Sequence, residues 1–325
     1  MPPRSPTAEG FRAILRRPSL GFAEIAWRWS FGAAAGLLIT FTGFEYLKTL
    51  PVTSGDLWLL RSRQPFFVLQ AVSHIVRGSG FRVVEALVVL TSALAIGWIV
   101  VAALARAATV KTLVAYFREN DGASEPAIRP LVGLMFLRTV ALFAAILGSF
   151  SAFATLGFAS TPEETGMAIQ LAMVVLGLVW LVWSVMNWLL SLAAIFVVAN
   201  GRDTFGAIAD AVDFLRRRSG PVFAVSTSFG LAHGAALVLA GIAAAFPLGL
   251  ASGLPGRLVL ASLFVITLLY FAVADFLYIG RLAAYVAILE LPEVSVPSAR
   301  APAPSLQPGS VDPNELILSD LPVPG

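Results

Sequence analysis

The sequence predicts an all-α polytopic membrane helix bundle: six transmembrane helices with additional amphipathic interfacial helices. Three observations carry that prediction. Hydrophobic residues make up 58% of the chain and charged ones only 13%, against roughly half and about a quarter in soluble domains. The apolar residues gather into stretches that each reach the roughly 20 residues needed to cross about 30 Å of hydrocarbon. Most of the 22 arginines and lysines collect at the joints between those stretches, so a pI near 9.6 reads as membrane-facing arginine and not as nucleic-acid binding.

Residues 1–29 form a cytoplasmic amphipathic segment. Phe11, Ile14 and Leu15 share one helical face, and after a break at Pro18 the stripe resumes with Phe22, Ile25 and Trp29, while Arg12, Arg16 and Arg17 take the other side. The transmembrane domain, residues 30–290, holds spans near 30–50, 84–106, 130–158, 166–199, 221–247 and 257–288. Several exceed the minimum length, which predicts tilt or helical extension past the membrane. The first is expected to be a retained anchor: its apolar part is too long for a cleaved signal, and no small-residue cleavage pattern follows Phe44. At its outer end Glu45 and Lys48, three apart, are expected to pair locally.

Between the spans, Pro65 opens a helix in which Phe66, Leu69, Val72 and Val76 share a face, ended by Gly78, Ser79 and Gly80. Val110, Leu113, Val114 and Phe117 follow the amphipathic period, and so do Phe205, Ile208, Ala209, Val212 and Leu215. Each predicts an interfacial helix. A faint repeat accompanies them: spans two, four and six leave through Arg106, Arg202 and Arg281, and KTLVAYFR is echoed by TFGAIADAVDFLR. Residues 291–325, rich in Pro, Ser and Ala, predict a disordered cytoplasmic tail. Its last residues, NELILSDLPVPG, have the look of a linear motif for a protein partner.

Orientation follows from the basic residues of the short loops. Arg4, Arg12, Arg16, Arg17 and Arg28 precede the first span, Lys111, Arg118 and Arg129 follow the second, and Arg202, Arg216, Arg217 and Arg218 follow the fourth. With six spans all of these share one side, so both termini are expected to be cytoplasmic in a bacterial inner membrane. The loop 51–83, with Arg61, Arg63, Arg77 and Arg82, runs against the trend.

Polar groups at membrane depth are the natural candidates for function. Asp275 stands about 9 Å along its helix from Arg281, and Arg138 enters its span by about 12 Å. Asp275 is expected to face the bundle and pair with Arg138, or failing that with Arg106 or Arg202. Asn187 and His233 fall at one level, about 18 Å from the cytoplasmic ends, where they are placed to hydrogen-bond. Arg138, Asn187, His233 and Asp275 are thus the candidate polar cluster, either helix glue or a relay. Gly32 with Gly36, and Gly230 with Gly234, offer flat faces for helix packing.

Much chemistry is absent. The chain has no cysteine, which excludes disulfides, thiol nucleophiles and Cys-based metal sites. His74, the other histidine, lies in the outer loop and gives His233 no metal-binding partner, so no metal is expected. Phosphate loops, HExxH, GxSxG and dinucleotide motifs are missing, and no cofactor is expected. No loop joins basic and aromatic residues into a nucleic-acid surface.

The unit IFVVANGRDTFGAIADAVDFLRRRSGPVFAV, echoed by ARAATVKTLVAYFREN, resembles a loose family of uncharacterised six-span bacterial membrane proteins that includes the membrane domain of glycerophosphoryl diester phosphodiesterases. The resemblance covers the layout of residues 30–290 and implies a membrane-embedded helper, without the hydrolase and with no catalytic residue to carry over. The resulting expectation is a non-enzymatic scaffold or accessory protein organising membrane lipids or partner proteins. The alternative is a small transporter or lipid exporter using an intramembrane polar cavity.

Overall fold

The computed structural model describes residues 5–50, 52–62, 64–77, 80–118, 128–154 and 162–290. These are helical, with no strand among them. Five helices are long and apolar enough to cross a membrane: α5 (Gly80–Arg118), α6 (Ile128–Ala154), α7 (Pro162–Asn200, from Thr165), α9 (Ser219–Gly249) and α10 (Gly256–Glu290). The expected first span lies in α2 (Pro18–Lys48), 31 residues long but not among the five; Glu45 and Lys48 close its apolar run at one end and Arg28 at the other. The proline-rich tail lies outside the described residues.

Local sequence accounts for the ends of these rods. Pro6 and Pro18 open α1 (Pro6–Arg16) and α2 within the first turn, where a missing N–H costs no hydrogen bond, and Arg17 between them leaves the helical conformation. At the foot of α7, Gly201 adopts φ of 66°, the left-handed conformation that stops a helix and that glycine takes without strain. Asp203 then caps α8 (Thr204–Arg217), its carboxylate accepting the Gly206 N–H at 3.2 Å. Basic side chains cover the last carbonyls of two long helices. Arg118 grips Glu290 through two bonds of 2.8 and 2.9 Å and donates to the Ala199 carbonyl at 3.2 Å, and Arg218 donates to the Ile288 carbonyl at 3.4 Å.

The core occupies one end of the bundle. Val110, Leu113 and Val114 of α5, Leu190–Val198 of α7 and Ile279–Ile288 of α10 are buried on nearly every side, together with Leu131 and Leu134 of α6 and with faces of α1 and α8. Toward the other end the same helices expose large apolar side chains: Val84, Val88 and Ile96 on α5, Met173 and Leu181 on α7, Leu260 and Phe264 on α10. Three helices are tied through Tyr285, whose hydroxyl accepts the Trp188 indole N–H at 2.8 Å and shares a hydrogen bond with Ser226 at 2.6 Å.

The stripe Val110–Phe117 is no separate interfacial helix; it continues α5 without a break and is core. Helix α8 exists, with Ile208 and Leu215 of the expected stripe half-buried against the core, but its most buried residues are Ala207, Ala211 and Phe214 while Phe205 is exposed, because small alanines let its backbone approach α7 more closely than larger side chains would. Helix α1 buries Glu9, Gly10, Ala13 and Ile14, and Leu15 and Phe22 point outward. The four glycines expected to pack helices do not: a Cβ at Gly32, Gly36, Gly230 or Gly234 would meet nothing within 4 Å. Close approach is instead made by Gly10, where a Cβ would stand 2.6 Å from the Gly280 carbonyl oxygen, and by Gly280, where it would stand 2.6 Å from the Phe229 ring. The helix opened by Pro65 is α4 (Pro65–Arg77), but it buries Ala71 and Ile75 and turns Phe66 and Leu69 outward. A short helix ahead of it, α3 (Ser54–Arg61), was not expected; its signal is the reciprocal cap of Thr53 and Asp56. The three repeat arginines are not equivalent, since Arg106 and Arg281 lie within helices and Arg202 in the break between α7 and α8.

Candidate functional site

A polar cluster forms where α2, α5, α6 and α10 meet. Because α2 runs unbroken from Pro18, it carries Glu24 and Arg28, four apart and therefore on one face, down to the level of Asp275 on α10. Arg28 bridges the two acids: one terminal nitrogen is 2.7 Å from Glu24 and the other 2.5 Å from Asp275. Glu24, with no side-chain exposure, also faces Arg106 of α5 at 3.6 Å and accepts from the Trp27 indole at 2.9 Å and the Thr109 hydroxyl at 3.4 Å. At the centre lies the Tyr278 ring, with the guanidinium groups of Arg28 and Arg106 each 4.7 Å and that of Arg281 5.6 Å from its centroid. Arg138 of α6 approaches the same tyrosine and feels the charges of Arg106 and Arg28. Such stacking on an aromatic face is favourable for guanidinium, which is weakly hydrated and planar.

Asp275 faces the bundle as expected, but its partner is Arg28. Arg138 joins the cluster through Tyr278, Arg106 through Glu24, and Arg202 pairs instead with Asp210 at 2.8 Å. Sequence reasoning missed Arg28 because it counted that residue only as a basic marker ahead of a span; the signal that could have found it is the Glu24–Arg28 spacing. Asn187 and His233 do not meet. The His233 ring lies 3.2 Å from the Tyr270 hydroxyl, and the Asn187 side-chain oxygen is buried without a hydrogen-bond partner.

Beside the cluster, between α9 and α10, opens a cavity of about 390 Å³ whose polar lining is Arg28, His233, Tyr270, Asp275, Tyr278 and Arg281. Of the four residues expected to gather, two line it and two do not. On the other side of Arg28, an apolar cavity of about 440 Å³ between α2, α5 and α6 is walled by Phe31, Trp98, Leu142 and Phe143.

A second polar group sits in the α3–α4 hairpin. The Asp56 carboxylate accepts from the Thr53 hydroxyl at 2.7 Å and its backbone N–H at 3.0 Å, and lies 3.0 Å from the His74 ring. The Thr53 hydroxyl, then its N–H, with a lesser contribution from His74, holds this carboxyl below its ordinary range.

Compared with protein-family models, with curated proteins and with solved structures, the chain finds no match. Chemically, the cluster can hold an anion: it offers guanidinium and phenol groups and pairs no nucleophile with a base.

Proposed function

We propose that the chain is a six-span protein of the bacterial inner membrane, with both termini cytoplasmic, that organises lipid as a non-enzymatic accessory or scaffold protein. The observation that carries this reading is the change of burial along the helices. In α5, α7 and α10 large apolar side chains are exposed over one half and sealed inside a core over the other. A helix surrounded by lipid has no need to hide apolar residues, whereas a helix in water must bury them. One half of each rod is therefore suited to hydrocarbon and the other to a packed cytoplasmic cap completed by α1 and α8.

Residue counting supports one boundary plane. About 20 residues cross the hydrocarbon; counted from Lys48 they reach Arg28, from Glu85 they reach Ala105 beside Arg106, and from Arg257 they reach Leu277 beside Tyr278. This agreement includes α2 as the sixth span. The polar lining of the cavity extends no further outward than His233 and Tyr270, which favours a site at one face over a path across the bilayer. The tail motif NELILSDLPVPG then serves as a docking segment for a protein partner. The resemblance of the α7–α8–α9 unit to a phosphodiesterase membrane domain agrees with a helper role. The second reading, a small transporter or lipid exporter, is favoured by the cavity being open and charged.

Because the chain has no cysteine, single cysteines at Ala8, Ser73 and Ser305 test the topology directly. In intact inner-membrane preparations of known sidedness, an impermeant maleimide should label Ser73→Cys from the outer side, and Ala8→Cys and Ser305→Cys only from the cytoplasmic side. Labelling of the two terminal positions on opposite sides would remove the sixth span. Lipid-dependent flux in proteoliposomes would replace the scaffold reading with the transporter.

A further inference from the structure

We propose that the cavity between α9 and α10 is a binding site for a phosphoryl group, held by Arg28 and Arg281 with Tyr278, Tyr270 and His233. The proposal rests on the lipid-organising reading and names the group recognised.

Charge comes first. Arg28, Arg106, Arg138 and Arg281 surround one tyrosine, and the only carboxylates among them are Glu24 and Asp275. Among the described residues neither Arg138 nor Arg281 has a carboxylate within ion-pair distance, so the cluster carries two more positive than negative charges. Guanidinium cannot shed its proton, and an uncompensated cation at the edge of a bilayer is costly. A bound anion removes that cost.

Hydrogen bonding points the same way. Within the cluster the Nε of Arg28 and the Nε and one terminal nitrogen of Arg106 are buried without a hydrogen-bond partner. Arg106 is almost wholly enclosed, its side chain 4% exposed. On the cavity wall itself Arg28 of α2, His233 of α9 and Tyr270, Tyr278 and Arg281 of α10 offer donor groups from three helices, which suits a tetrahedral group with several acceptor oxygens better than a planar carboxylate. Asp275 is the one anion on the cavity wall, and it is occupied by Arg28. The volume, about 390 Å³, lies within the roughly 300–1,000 Å³ usual for small-ligand sites. Phe229, Phe271 and Leu277 complete the wall with apolar surface, which suits the glycerol and first methylenes of a lipid. Phosphate at this position comes from a phospholipid headgroup of the cytoplasmic leaflet or from a soluble phosphoryl anion.

The test uses the full chain purified in an uncharged maltoside detergent. Binding of phosphatidylglycerol in mixed micelles is followed by native mass spectrometry, with diacylglycerol as the phosphate-free control and inorganic phosphate as competitor. Arg281→Gln, which breaks no ion pair, should weaken retention of the phospholipid about tenfold, the factor that 1.4 kcal/mol represents, and Arg281→Lys should restore part of it. Asp275→Asn, which removes the competing anion, should tighten binding several-fold. Displacement of the lipid by millimolar inorganic phosphate would assign the site to soluble phosphoryl anions; resistance would assign it to lipid. Equal retention of phosphatidylglycerol and diacylglycerol by the wild type overturns the proposal. So does an unchanged affinity in Asp275→Asn, a readout that stands even if Arg281→Gln fails to fold. Topology labelling is independent of all of these, so a correct topology with no phosphate preference sinks this site alone.

Discussion

Replacing Glu24 by glutamine removes one charge and almost nothing else. The amide oxygen can still accept from Trp27 and Thr109, and the side chain keeps its volume. What changes is the electrostatics of two arginines. Arg106 has no other carboxylate within ion-pair distance among the described residues, and Arg28 is left with Asp275 alone. Both partners are enclosed, Glu24 with no side-chain exposure and Arg106 with 4%, so water cannot compensate. Breaking a buried pair from one side costs about 3–5 kcal/mol. At about 2 °C per kcal/mol for a chain this long, the melting temperature in detergent should fall on the order of 6–10 °C. The paired variant Glu24→Leu with Arg106→Met should recover most of the loss, since replacing both ions by apolar groups of similar size is often near neutral. Thermal unfolding followed by tryptophan fluorescence reads both, with Trp27 as a reporter inside the cluster. A Glu24→Gln protein that melts within about 2 °C of the wild type, or a double variant no better than the single one, would refute the claim that this cluster is a coupled electrostatic unit.

Glycines offer a sharp contrast. Gly10→Ala forces a methyl against the Gly280 backbone and should cost about 1–3 kcal/mol, whereas Gly230→Ala and Gly234→Ala enter open space and should leave the monomer's melting temperature unchanged. Tyr285→Phe removes the acceptor of the Trp188 indole and the partner of Ser226, and should lower stability by about 1–3 kcal/mol in the same assay. In the α3–α4 hairpin the Asp56 carboxyl is held below its ordinary value of 3.8. Its contribution to hairpin order is therefore complete above that value and is lost as pH falls through the depressed one, below about pH 4. Limited proteolysis between α3 and α4 as pH is lowered should show the change in the wild type, and Asp56→Asn should be cut at every pH.

The long rods were legible because lipid imposes a length and composition that no other environment requires. Pro18 as a break and Pro65 as a start were legible for the same kind of reason: they act on their own backbone. The partner of Asp275 was not. Counting along helices offered Arg138, Arg106 and Arg202 and left out Arg28, because the choice depends on which helices touch, which rise per residue does not contain. Helix α8 shows the limit of periodicity. Its larger residues draw an apolar stripe, yet packing selected the face of Ala207 and Ala211, because contact depth between helices rewards small side chains. Gly32, Gly36, Gly230 and Gly234 matched a spacing that is common by chance in apolar helices. Gly10 and Gly280, which let α1 and α10 approach closely, sit in no motif and become visible only when α1 is seen to cross α10. The Thr53–Asp56 cap was readable in principle, but its short helix lacks the periodic run that draws attention to longer ones.

The proposed arrangement puts one set of helices in two solvents, with the boundary at the Arg28–Arg106–Tyr278 cluster. Spin labels placed singly along the exposed face of α5, at Val84, Ile96, Val100, Leu104, Ala108 and Thr112, measure it in lipid nanodiscs through their relative accessibility to oxygen and to a water-soluble nickel complex. Oxygen should dominate from Val84 to Leu104 and the nickel complex should take over between Leu104 and Thr112. Oxygen dominance continuing through Thr112, or nickel dominance beginning before Val100, would contradict it.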